Sequence, residues 1–280
     1  MGGKRKIIIS LAPVGNFPAE NTEAVLTPEG IAGDVEECAD AGASLVHLHV
    51  KDVYGQPVTD RDLFDAAVAE IRRRCGVIIQ GSTGGDGHLS AEERCVVLNN
   101  PVVEMASLNM GSTNFFNGVY VNAPDEIRYW ARRMKDSGIE PEFEIFSPDM
   151  IEAAAVLYQE QLVAPPYSFG ICLGIPWAMP ANARYLSICA NLMPEGARWG
   201  LIEHARSDFS LVAVALALGA SWIRVGQEDS PQGLNHKGQK KNQVLVKEVR
   251  EFIESLGYEI ASPQEARKIL GIREPKELAK

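Results

Sequence analysis

"TPEGIAGDVEECADAGASLVHLHV", residues 27–50, holds one complete helix-to-strand unit. Thr27 offers an N-cap hydroxyl, Pro28 stands one residue inside it, where no amide donor is needed, and Gly42 closes the helical pattern. "SLVHLHV" (44–50) follows as a short, nearly continuous apolar run, as expected of a strand buried on both faces. "DRDLFDAAVAEIRRRCG" (60–76) repeats the helix, with apolar residues at helical spacing and a terminal Gly76. "VIIQGST" (77–83) repeats the strand.

The same alternation runs the length of the chain. Further strands are predicted at "KIIISLA" (6–12), "EMASLNM" (104–110), "EFEIF" (142–146), "SFGICLG" (168–174), "RWGLIEH" (198–204) and "SWIRVG" (221–226). Eight β-then-α units of about 30 residues predict a (β/α)8 TIM barrel over 1–280, closed by a C-terminal helical cap. An open doubly wound sheet would carry a glycine-rich phosphate turn after its first strand. Here that turn is "APVGNFPAEN", with one glycine and two prolines, which favours the barrel. Trp177 and Trp222 read as packing aromatics.

With 27 basic and 37 acidic residues the net charge is −10, which argues against nucleic acid or an anionic membrane surface as a general partner. No run approaches the roughly 20 apolar residues of a membrane span. Five cysteines without metal-type spacing read as reduced thiols, so the expected protein is soluble and cytoplasmic.

Barrel chemistry sits at the C-terminal ends of the strands, and those ends are polar. His47 and His49, two apart on one strand, point the same way. Two imidazoles and one carboxylate with a position left open make a catalytic divalent metal centre, most often zinc. Glu144 and Glu228 are the carboxylates available, with Asp229 beside the latter. Because Glu228 and Asp229 are adjacent, two readings are open: separate roles, one on the metal and the other a base held by Arg224, or a solvated acidic loop beside an unrelated arginine. "QGSTGGDGH" is either an anion-binding glycine loop or an ordinary turn, and it lacks the lysine of a nucleotide-hydrolysing loop. Glu203 and His204 alternate in direction, so only one can line the mouth. Lys51 continues the parity of the histidines past the strand end, where a Schiff-base role or a solvent or phosphate contact is open.

The set "HLHVKD", "QGSTGG", "EMASLNMG", "PEFEIF" and "IRVGQED", in this order, resembles the β-keto acid cleavage enzymes over essentially the whole chain. That resemblance implies a barrel holding catalytic zinc in a homotetramer, with His47, His49 and Glu228 as ligands. Asp229 then looks like the general base oriented by Arg224, and Glu144 like the active-site glutamate of the fifth strand. Ser82, Gly85, Ser107 and Asn109 look like contacts to the substrate or its carboxylate. The implied reaction condenses a β-keto acid with acetyl-CoA, giving acetoacetate and a new acyl-CoA. A metal-dependent aldolase or lyase using the same enolate chemistry without CoA is the alternative; a ligand-binding barrel without catalysis is the third.

Two residues depart from the amino-keto acid members of the family. Ser107 replaces a threonine and keeps the hydroxyl. Phe17 stands where a glutamate would receive the substrate's amine, so an uncharged or apolar β-keto acid is expected unless Glu20 or Glu23 substitutes for it. The basic cluster "NHKGQKKNQ" (235–243), with Lys237, Lys240 and Lys241, is a candidate seat for the CoA phosphates.

Overall fold

The computed structural model describes residues 4–15, 27–52, 54–85, 88–230 and 240–272. Eight strands pair in parallel, each with its neighbour in sequence: β1 (Lys6–Leu11), β2 (Leu45–Leu48), β3 (Ile78–Gly81), β4 (Met105–Asn109), β5 (Glu140–Ile145), β6 (Ser168–Leu173), β7 (Arg198–Glu203) and β8 (Trp222–Val225). β8 also pairs with β1, Ile8 opposite Trp222 and Leu11 opposite Val225, so the sheet closes into the expected barrel.

The helices between strands are α1 (Pro28–Ala41), α2 (Arg61–Arg74), the short α3 (Ala91–Arg94), α4 (Pro124–Ser137), α5 (Asp149–Gln159), α6 (Ala183–Leu192), α7 (Ser210–Ala217) and α8 (Asn242–Ser255). Thr27 caps α1 as expected, its hydroxyl accepting from the Gly30 amide at 3.1 Å. Asp60 does the same for α2, accepting from Leu63 N at 3.0 Å. Each cap satisfies an amide that the helix itself leaves unpaired. Among the described residues no helix is long and apolar enough to cross a membrane.

The last helix, α9 (Pro263–Leu270), lies under the N-terminal end of the barrel, away from the mouth. Arg267 donates to both oxygens of buried Glu104, at 2.6 and 2.9 Å, and Arg72 pairs with the same carboxylate. A buried carboxylate needs such partners.

Trp222 fills the barrel interior as a packing residue, 2% exposed. Room for its indole comes from Gly170 and Gly200, since a Cβ on Gly200 would fall 2.0 Å from the indole ring. Gly200→Ala should therefore cost on the order of 3 kcal/mol of stability through overpacking, read by urea unfolding. An unchanged midpoint would contradict this packing.

Trp177 is a correction. It is 78% exposed, because Gly174 N donates to Met179 O at 2.8 Å across a tight loop that places Trp177, at φ 72°, on its tip. The second strand is also shorter than predicted. Pairing with the barrel stops at Leu48, and Val50–Lys51 turns aside to pair antiparallel with Pro57–Val58.

Candidate active site

The barrel mouth opens into a cavity of about 850 Å³. His47, at the end of β2, and His49, in the break that follows, converge on it, with their Nε2 atoms 3.1 Å apart. Glu228 arrives from the loop after β8, its Oε1 lying 3.9 Å from His47 Nε2 and 3.6 Å from His49 Nε2.

That loop is forced to turn at Gly226. Its φ of 143° and its contact with β1 exclude a side chain, since a Cβ there would lie 2.1 Å from Ala12 O. Glu228 N then donates to the same Ala12 oxygen at 3.2 Å, which aims both acidic side chains inward.

Arg224, buried on β8, holds this acidic set together. Its Nε and Nη2 donate to the two oxygens of Asp229 at 2.8 and 2.7 Å, a bidentate pair of the kind guanidinium geometry favours. Nη2 also reaches Glu228 Oε1 at 3.3 Å, and Nη1 reaches Glu144 Oε1 at 3.3 Å. The neighbouring carboxylates thus share one cation but face different ways: Asp229 is clasped by Arg224, whereas Glu228 faces the imidazoles. Burial pushes Glu144 above the usual carboxylate range. Burial is the largest single influence on the Glu228 carboxylate and works to raise it, yet Arg224, His49 and His47 together outweigh burial and hold this group well below the usual range.

Burial lowers the His47 pKa to about 3, so its ring is neutral at pH 7. Its Nδ1 lies 2.7 Å from Gln80 Oε1, while Gln80 Nε2 donates to Glu142 Oε2 at 2.9 Å. This arrangement assigns the His47 proton to Nδ1 and leaves Nε2 as a lone pair aimed at the cavity. Burial first, and Glu144 second, raise Glu142 to about 7.

The donors fit a divalent cation. His47, His49 and Glu228 each offer one ligand atom, all within 4.8 Å of one another. Two nitrogens bound tetrahedrally at about 2.0–2.1 Å from one zinc would be separated by roughly 3.3 Å, close to the spacing seen. Glu228 Oε2 is buried without a hydrogen-bond partner among the described residues. One guanidinium facing three carboxylates leaves two formal negative charges, which a divalent cation would balance.

The remaining expected residues are placed unequally. Ser82 and Gly85 line the cavity. Ser107 is wholly buried and ties two strand ends together, its Oγ accepting from Thr83 N at 3.3 Å and its carbonyl from Thr83 Oγ1 at 2.6 Å. Asn109, equally buried, donates to the Tyr120 hydroxyl at 3.0 Å. His204 lines the mouth, whereas Glu203 turns away to pair with Arg206 at 3.1 Å. Lys51 is buried, which lowers its pKa. Lys240 pairs with Glu248, Lys241 is exposed, and Lys237 lies outside the described residues, as do Phe17, Glu20 and Glu23.

Gln80 was missed as a site residue. Its signal was present: one amide in the apolar run "VIIQG", directly opposite His47 in the strand register. Gln80→Leu should weaken divalent-metal binding about 10–100-fold with the fold intact, as outer partners of metal ligands typically do. Metal titration checks this, and unaltered affinity would remove Gln80 from the site.

A sequence model of a family described as "beta-keto acid cleavage enzyme" matches residues 6–272. A 3-keto-5-aminohexanoate cleavage enzyme of Fusobacterium nucleatum is 36% identical over 274 residues, covering 96% of this chain and 98% of the relative. A 3-oxoadipate:acetyl-CoA acetyltransferase of Cupriavidus necator is 32% identical over 272 residues, covering 95% and 94%. Among solved structures, the complex of ObcA with oxaloacetate superposes with a TM-score of 0.75 at 22% identity, over 88% of this chain and 67% of that one, and so shares the fold.

Proposed function

We propose, for a chain that belongs to the β-keto acid cleavage enzyme family, a zinc-dependent reaction at the His47–His49–Glu228 group. The enzyme condenses a β-keto acid with acetyl-CoA, giving acetoacetate and a new acyl-CoA. The observation that carries the zinc site is the imidazole pair and Glu228 meeting in the cavity where Arg224 presents Asp229.

A zinc ion held by His47, His49 and Glu228 would supply Lewis acidity toward the bound keto acid. Asp229 takes the proton from the carbon between the acid's carbonyl and carboxylate groups, and the electron pair moves into the enolate. Arg224 fixes the carboxylate for that transfer through both of its oxygens. The enolate carbon bonds to the acetyl carbonyl as the C–S bond breaks, releasing CoA as its thiolate. The thiolate then adds to the original keto carbon, the old carbon–carbon bond breaks, and acyl-CoA departs. Asp229 returns its proton to the acetoacetate enolate, so the cycle needs no oxidant, reductant or covalent enzyme intermediate.

Glu144, held by Arg224, faces the reacting centre as a second acidic group. Ser82 and Gly85 are assigned to substrate at the cavity wall, and Ser107 and Asn109 hold the strand ends that carry it. The five cysteines are free thiols, which supports a reducing cytoplasm, and the family resemblance supports a homotetramer. The direct test incubates metal-loaded enzyme with a panel of 3-oxo acids and acetyl-CoA and follows acetoacetate. Formation of acetoacetate only when both partners are present is expected; none from any acid would overturn the reading.

A further inference from the structure

The chain between β4 and α4 forms a small hairpin, Thr113–Phe115 with Gly118–Tyr120, which leans over the mouth. Its side chains start a continuous aromatic wall. Phe115 lies 5.1 Å from Phe116, 5.2 Å from Tyr120 and 5.9 Å from Phe146 between ring centroids. Phe116 meets His204 edge to face at 5.2 Å. The wall therefore spans the mouth from the β4 hairpin past the end of β5 to the end of β7, and all five rings line the cavity. Phe146 stands two residues beyond Glu144, so the wall begins beside the Arg224 cluster.

Phe116 adopts a φ of 51°, a left-handed conformation that favours glycine or asparagine. A large apolar residue at such a tip, turned into the cavity, is what a surface for an apolar ligand would need.

The charge inventory agrees. Away from the metal-side cluster, the ionisable residues lining the cavity among the described ones are Asp60, Arg94, Tyr120, Cys172 and His204. Arg94 is committed: Nε to Thr83 O at 3.0 Å, Nη1 to Val121 O at 2.9 Å and Nη2 to the Asn122 side chain at 2.6 Å. Asp60 lies on the β2 side of the mouth, where its carboxylate caps α2 by accepting from Leu63 N at 3.0 Å. Burial lowers the pKa of His204 and raises those of Tyr120 and Cys172, which leaves all three neutral at pH 7. An ammonium tail on this wall would be desolvated without an anionic partner beside it, and a second carboxylate would meet an Arg94 whose three nitrogens already donate within the protein.

We infer that the β-keto acid turned over here carries an uncharged, apolar side chain of several carbons or a ring, laid against Phe115, Phe116 and Phe146. This rests on the β-keto acid reading above and assigns the hairpin as its specificity element. It separates this chain from relatives whose names give an amine-bearing or a second-carboxylate substrate.

The test measures kcat/KM with saturating acetyl-CoA for 3-oxopentanoate, 3-oxohexanoate and 3-oxoheptanoate, and for 3-oxoadipate and 5-amino-3-oxohexanoate. Each added methylene should raise kcat/KM about fourfold, the equivalent of about 0.8 kcal/mol per buried group, and both charged acids should fall at least about 100-fold below the uncharged chain of matching length. Phe115→Ala and Phe116→Ala should flatten the methylene series, and Phe115→Leu and Phe116→Leu should largely restore it, with the acetyl-CoA KM unmoved. A flat wild-type series, or preference for a charged acid, overturns the inference and leaves the reaction standing. A raised acetyl-CoA KM with an unchanged series also overturns it, by assigning the wall to the pantetheine arm. Absence of turnover with every acid overturns the reaction itself.

Discussion

Asp229→Asn should slow turnover by about 10²–10⁴-fold, the usual loss on removing a general base, while metal content stays at the wild-type level. Asparagine keeps the shape of the side chain and still offers Arg224 one carbonyl oxygen, but it cannot accept a proton from carbon. The two outcomes separate because Asp229 faces the guanidinium through both oxygens, at 2.7 and 2.8 Å, whereas Glu228 faces the imidazoles. Single-turnover kinetics and metal analysis of the same preparation make the measurement. A near-normal rate would remove Asp229 as the base, and lost metal with the rate would show that Asp229 and Glu228 exchange roles.

Arg224→Met should cost about 3–5 kcal/mol of stability in the metal-free protein, the scale found when one member of a buried ion pair is removed. Its removal leaves Asp229, Glu228 and Glu144 together, all nearly buried and without the guanidinium that pairs with each of them. The loss should be smaller when zinc is present, because a divalent cation supplies positive charge at Glu228. Urea unfolding with and without metal checks both parts. A variant as stable as wild type in the metal-free state would mean that the carboxylates are not charged as described.

Much of this arrangement could be read from the chain because it follows from periodicity and from strand ends. Thr27, Pro28 and Gly42 bounded a helix that the structure contains, and each apolar run became one barrel strand. His47 and His49 were legible as a converging pair, although the chain leaves the sheet at Leu48, because side-chain direction survives a short break in pairing.

What escaped depended on distant partners. Gln80 looks like a strand residue until the register sets it opposite His47, and Glu142 had no role until the same amide joined them. The acceptance by the Ser107 hydroxyl from the Thr83 amide is likewise a tertiary contact that no local pattern encodes. The hairpin is different: "NFFNGVYV" (114–121) carries an Asn-Gly pair between apolar residues, a hairpin signal within a long βα connection, although the turn the strands make falls one residue earlier, at Phe116–Asn117. Trp177 was misplaced because its exposure follows from a loop closed by Gly174 and Met179, not from its own hydrophobicity.

The most direct measurement of the central claim follows carbon. Metal-loaded enzyme is given unlabelled 3-oxohexanoate and acetyl-CoA carrying heavy carbon at both acetyl positions, and the products are analysed by mass spectrometry and NMR. Acetoacetate labelled at its methyl and keto carbons, with its carboxylate end unlabelled, is expected together with an equal amount of unlabelled butanoyl-CoA. Cleavage that proceeds without acetyl-CoA, or label appearing in the butanoyl-CoA, would contradict the claim.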